Sequence, residues 1–154
     1  MKLLSGILFL LILFTPGVFP VSGSISPPPI TDIFRNVGQL TGVDHQLLRA
    51  IATVESNLDP WAIGDKGKSL GLMQIHSSTR KQFEVPHHSL LFNAEINVRI
   101  GALHLRRLID RYGVHGAIQA YNIGESKYRM GIRSKLYHRK VMLVWRRNTC
   151  LNLK

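Results

Sequence analysis

The sequence predicts a mostly α domain, with at most a small β-hairpin between about residues 61 and 75. Three observations predict it. Apolar residues recur at three- and four-residue spacing in several windows after residue 30. Turn formers punctuate those windows at Gly42, at Asn57, Asp59 and Pro60, at Pro86 and at Gly113. One short apolar run, "SLGLMQI" from Ser69, is too brief for a helix and reads as strand-like or as a tight turn.

The elements follow in order. Residues 1–23 have the layout of a secretory signal: Lys2, a nearly unbroken apolar run from Leu3 to Phe14, then breakers and small residues at Val21-Ser22-Gly23. The apolar run is short for a span of about 20 residues, so cleavage and export to the periplasm are expected, with an uncleaved anchor as the alternative. Residues 24–29, "SISPPP", form a linker that neither helix nor central strand accommodates. The domain itself covers 30–147, and 148–154 form a tail.

Within the domain, a first helix covers about Ile30 to Leu40, with Ile33, Val37 and Leu40 on one face. Asp44 caps a second, which turns Leu47, Leu48, Ile51 and Val54 inward and stops near Ser56. Ser77 or Ser78 caps a short helix through Phe83. Asn93 caps a long one to about Tyr112, closed by Gly113, whose apolar residues wrap most of its circumference and mark it as central. A further helix from about His115 to Tyr121 leads into "AYNIG". The last runs from about Ser134 to Arg147, with Leu136, Tyr137, Val141, Val144 and Trp145 inward and basic residues outward.

The chain of 154 residues carries 20 Lys and Arg against nine Asp and Glu, a formal net charge of +11. Such an excess favours polyanions: nucleic acid, an acidic membrane surface or an acidic wall polymer. The export signal argues against nucleic acid and for the cell wall. A single cysteine, Cys150, excludes an internal disulfide. The adjacent His87-His88 pair lacks the spacing of a helical zinc site, and no phosphate loop or Ser-His-Asp set is present, so no metal or cofactor is expected.

One carboxylate stands out. Glu55 ends the apolar stripe of the second helix, where a loop meets it. A carboxyl in a mostly dry cleft has its pKa raised by desolvation and can still donate a proton near neutral pH. Taken alone, Glu55 fits a solvated helix end equally well. The order of segments adds more: "VESNLDP", "SLGLMQI", "NAEINVRIGALHL", "AIQAYNIG" and "YHRKV".

Together, over about residues 44–145, these segments resemble the lytic transglycosylase (SLT-type) family, in particular its small specialised members that accompany secretion, conjugation or pilus machinery. The resemblance implies a lysozyme-like α+β fold. It implies Glu55 as catalytic acid, followed by Ser56, and a sugar cleft lined by Gly71, Leu72, Met73 and Gln74. It adds Tyr121 and Asn122 from the Ala-Tyr-Asn segment, and Tyr137 closing the site beside Glu55. The implied reaction cleaves peptidoglycan glycan strands between N-acetylmuramic acid and N-acetylglucosamine and leaves a 1,6-anhydro sugar. The resemblance implies that a single carboxyl suffices, and no other acid lies in a segment matching a second catalytic position. The implied partners are glycan strands and components of such an apparatus, and the chain is expected to be a monomer. A non-catalytic wall-binding module and a lysozyme-type hydrolase are the alternatives. Two departures stand out: His76 follows Ile75, and Glu125-Ser126 follow Asn-Ile-Gly where Pro-Gly is common, so the 123–133 loop is expected to differ.

Overall fold

The computed structural model describes residues 28–151. Calls that fall on 1–27 and 152–154 lie outside them: the signal, most of the linker and the end of the tail. The described residues form six α-helices and one small antiparallel sheet: α1 (Ile30–Thr41), α2 (His45–Ser56), β1 (Ile63–Gly64), β2 (Ser69–Leu70), β3 (Ile75–His76), α3 (Ser77–Gln82), α4 (Ala94–Ile123), α5 (Glu125–Arg129) and α6 (Lys135–Leu151). No helix among them is long and apolar enough to cross a membrane.

Caps set the helix starts that matter for the site. The Asp44 carboxylate accepts from the amides of Gln46 at 2.6 Å and Leu47 at 3.3 Å, which satisfies otherwise unpaired donors at the start of α2. It also accepts from the Trp145 indole at 3.1 Å, tying that start to α6. Asn93 Oδ1 accepts from the Ile96 amide at 3.0 Å and starts α4 as expected. The short α3 is capped differently: His76 Nδ1, rather than either serine, accepts from the Ser78 amide.

α2 packs against α1 and α6, and α4 against α1 and α6. Phe34, Val37, Leu47, Leu48, Ile51, Leu105, Leu108, Ile118 and Val141 meet in one core. Burial of this kind stabilises by roughly 25 cal/mol per Å² of apolar surface removed from water. α4 breaks at Gly113, whose φ of 66° and ψ of 171° leave the helical region. A side chain there would be strained, and the half of α4 beyond the break carries Tyr121 and Asn122 to one groove.

Three expectations need correction. The sheet has three strands, in order β1-β2-β3, with Ile63 opposite Leu70 and Leu70 opposite Ile75. Leu40 is 74% exposed, because the buried face of α1 centres on Phe34, Val37 and Gly38 and leaves it about a third of a turn away. Leu136 is 60% exposed, about a third of a turn from the face carrying Tyr137, Val141 and Asn148. The 123–133 loop also contains α5, which is too short to show a helical period.

Candidate active site

Glu55 lies in the last turn of α2, just before Asn57 ends the helix in the left-handed region at φ 54°. Its carboxylate opens into a groove of about 1020 Å³. One wall comes from the sheet and carries Asp65, Ser69 and Gln74; the opposite wall comes from α4 and α5 and carries His104, Tyr121 and Asn122. The Tyr137 hydroxyl, buried behind the groove on α6, donates to Glu55 Oε1 at 2.6 Å.

Burial pushes the Glu55 pKa up from its ordinary value of 4.5. The Tyr137 hydrogen bond opposes that shift by favouring the charged form, and the Asp65 charge adds to it. Burial, and Glu55 beside it, hold the Tyr137 phenol well above 10, so it remains a donor across the neutral range. The site is therefore a partly dry carboxyl with one fixed donor, facing open space. The shift favours the protonated form, which can release its proton to an acceptor in the groove.

The family model for the transglycosylase SLT domain matches residues 32–140. The chain is 36% identical over 117 residues to invasion protein IagB of Salmonella typhimurium, covering 71% of this chain and 72% of that one. It is 35% identical over 107 residues to membrane-bound lytic murein transglycosylase C of Sodalis glossinidius, covering 58% of this chain and 30% of that one. An inactive variant of lytic transglycosylase Slt from Pseudomonas aeruginosa superposes with a TM-score of 0.60 at 20% identity, over 73% of this chain and 22% of that one. The chain belongs to the transglycosylase SLT domain family. By that membership it is a peptidoglycan lytic transglycosylase with a lysozyme-like fold.

The SLT domain brings together some of the residues singled out in its sequence and separates others. Glu55, Gln74, Tyr121 and Asn122 share the groove. Leu72 and Met73 do not line it. Both side chains are fully buried in the core, and Met73 packs against Gly101 of α4. What their segment offers the site is backbone. The Leu72 carbonyl accepts from Ser56 Oγ at 2.8 Å, and the Met73 carbonyl accepts from the Tyr121 hydroxyl at 2.9 Å. Ser56 and Tyr121 thus clamp one peptide segment from two helices, one beside Glu55 and one across from it.

Gly71 is also buried. Its φ is 74°, and a Cβ there would overlap the Asn97 amide and the Leu91 carbonyl. Gln74 follows at φ 45°, and its Nε2 donates to the carbonyls of Gly71 at 3.0 Å and Ala62 at 3.2 Å. Its amide nitrogen is thereby engaged in holding the sheet. Asn122 Oδ1 accepts from Ser134 Oγ at 2.7 Å, which ties α4 to the start of α6.

Four residues of the site escaped sequence reasoning. Asn97 is completely buried on α4. Its Oδ1 accepts from the Met73 amide at 2.8 Å, and its Nδ2 donates to the carbonyls of Leu70 at 2.8 Å and Leu91 at 2.7 Å. A polar residue on the otherwise apolar face of a central helix was the available signal. Asp65 lies on the groove wall and influences Glu55 through its charge, although no sequence segment marked it. His104 lines the groove between Phe83 and Tyr121, with its pKa lowered by burial and then by Arg107, and so is held neutral. Glu125 lines the groove too, but Tyr112 and Arg111 each bond its Oε1 at 2.7 Å and hold its pKa below the ordinary value. Two of the groove's carboxyls, Glu55 and Glu125, are thus driven in opposite directions.

Proposed function

We propose that this domain cuts peptidoglycan glycan strands with Glu55 as the sole acid and base, and leaves 1,6-anhydro-N-acetylmuramic acid ends. The observation that carries this is the Glu55 carboxyl itself, pushed toward its neutral form in an open groove and held by Tyr137. Protonated Glu55 gives its proton to the oxygen between N-acetylmuramic acid and N-acetylglucosamine, and the C–O bond breaks toward that oxygen. The carboxylate then takes the proton of the muramoyl 6-hydroxyl, whose oxygen closes on its own anomeric carbon. No water enters the balance, and Glu55 ends protonated as it began. The attack is intramolecular and gains from proximity.

The other residues serve this step unequally. Tyr137 orients Glu55 and stabilises its charged form between the two proton transfers. Ser56, Tyr121, Gly71 and Gln74 fix the peptide segment beneath the groove. The Asn122 amide nitrogen is free to meet an acetamido group, because its oxygen is taken by Ser134. Leu72 and Met73 act only through the core.

We further propose that the chain is exported by its N-terminal segment and opens the wall locally for an envelope-spanning apparatus. The likeness to a protein named for invasion supports this, since this chain covers 72% of it. A second reading has its own observation. Asp65 shares the groove with Glu55, and a pair of carboxyls is what a lysozyme-type hydrolase uses.

Digestion of purified sacculi separates these readings. The proposal expects muropeptides lighter by one water per muramoyl end, and none from Glu55→Gln. Ordinary reducing ends would assign the chain to hydrolysis. Binding without fragments would make it a wall-binding module.

A further inference from the structure

The outer face of α6 takes no part in the groove, and its pattern has a different meaning. Leu136, Leu143 and Cys150 recur every seven residues and form a ridge along the helix. Leu136 and Leu143 are each 60% exposed, and Cys150 is exposed. Arg139 and Arg146 flank the ridge on one side, and Lys140 and Arg147 on the other, all exposed. Residues 126–154 hold nine of the 20 Lys and Arg and none of the nine Asp and Glu. The three ion pairs among the described residues use Arg35, Arg106 and Arg111, so none neutralises this face. Two more apolar side chains, Met130 and Ile132, stand exposed just ahead of the helix.

We propose that this face docks the domain on an anionic phospholipid surface. A helix lying in a membrane interface turns an apolar strip toward the acyl boundary and long basic side chains toward the phosphates on either side. The two basic rows of α6 flank its ridge in that way. An acidic sugar polymer would answer the cations and leave the leucines in water. A second copy of the face would oppose cations to cations. An acidic protein would be expected to meet an aromatic anchor or a receiving pocket, and this convex aliphatic face offers neither. Because none of these side chains lines the groove, docking leaves Glu55 open to substrate.

Cys150 supplies the test, as the chain's only thiol and a member of the ridge. The exported chain, labelled there with a polarity-sensitive dye, is mixed with phosphatidylglycerol-containing vesicles and with phosphatidylcholine vesicles. The dye should be shielded from an aqueous quencher on the first and not on the second, and salt should reverse the shielding. Replacing Arg139, Lys140, Arg146 and Arg147 by Gln should weaken vesicle binding by about 600-fold, at roughly fivefold per cation. A second variant, Leu136→Ser with Leu143→Ser, should lose the shielding, and both variants should digest sacculi as the parent does. A dye that stays quenched while the chain sits on vesicles places attachment elsewhere and overturns the proposal. So does equal shielding on phosphatidylcholine, or shielding by polyglutamate but not by vesicles.

Discussion

The Tyr137 hydroxyl donates to Glu55 Oε1 across 2.6 Å, joining residues 82 positions apart in the chain. α6 thereby completes a site that α2 begins. Three influences act on Glu55: burial and the Asp65 charge raise its pKa, and the Tyr137 bond lowers it. The Asp65 charge and the Tyr137 bond can each be removed separately.

Tyr137→Phe removes the influence that favours the charged form. The Glu55 pKa should rise further, and the basic limb of the pH–rate profile should move to higher pH. Losing a hydrogen bond to a charged group, worth about 1.5–3 kcal/mol, should lower sacculus turnover by about tenfold or more. A pH–rate profile of wild type and variant checks both effects.

Asp65→Asn removes a neighbouring negative charge, so the basic limb should move to lower pH. If Asp65 is instead a second catalytic carboxyl, activity should collapse at every pH. The same profile distinguishes the two outcomes.

Glu55→Gln should stabilise the fold. A carboxyl whose folded pKa is raised above its unfolded value favours the folded state most at low pH. That advantage is lost as pH rises from the unfolded value, near 4.5, through the raised folded one. Above that window wild-type Glu55 is charged in a partly dry site, and the amide is not. The variant should gain about 1 kcal/mol at pH 8, with the gap narrowing toward pH 4.5, as read from urea midpoints at both pH values.

Asn97→Ala leaves the Met73 amide and the Leu70 and Leu91 carbonyls without their partner inside the core. Equilibrium unfolding should show a loss of about 2–4 kcal/mol. The surviving folded protein should cut walls poorly, because the segment that Ser56 and Tyr121 clamp is no longer anchored. Ile109→Ala, partly buried on α4 against the core and away from the groove, serves as a control for packing loss alone.

The helical frame was legible because each helix announces itself locally. Asp44 and Asn93 are cap residues ahead of apolar periods, and the inward residues Leu47, Leu48 and Ile51 follow the helical repeat. Glu55 and Tyr137 were legible as members of ordered segments. The two-residue strands were not, since a period of two needs more residues than they have. Leu40 and Leu136 were misread because the centre of each buried face depends on which helix packs against it. Leu72 and Met73 look like cleft residues in sequence, yet a turn with Gly71 and Gln74 at positive φ sends their side chains into the core. Asp65, His104 and Asn97 gain their roles only from contacts across the fold, which no local pattern encodes.

The carboxyl group of Glu55 can be titrated directly by difference infrared spectroscopy of wild type against Glu55→Gln. The account predicts a protonated carboxyl band, absent from the variant, that persists to pH values clearly above 4.5 and persists further in Tyr137→Phe. A Glu55 that ionises at or below 4.5, with Tyr137→Phe leaving it unmoved, would contradict the account.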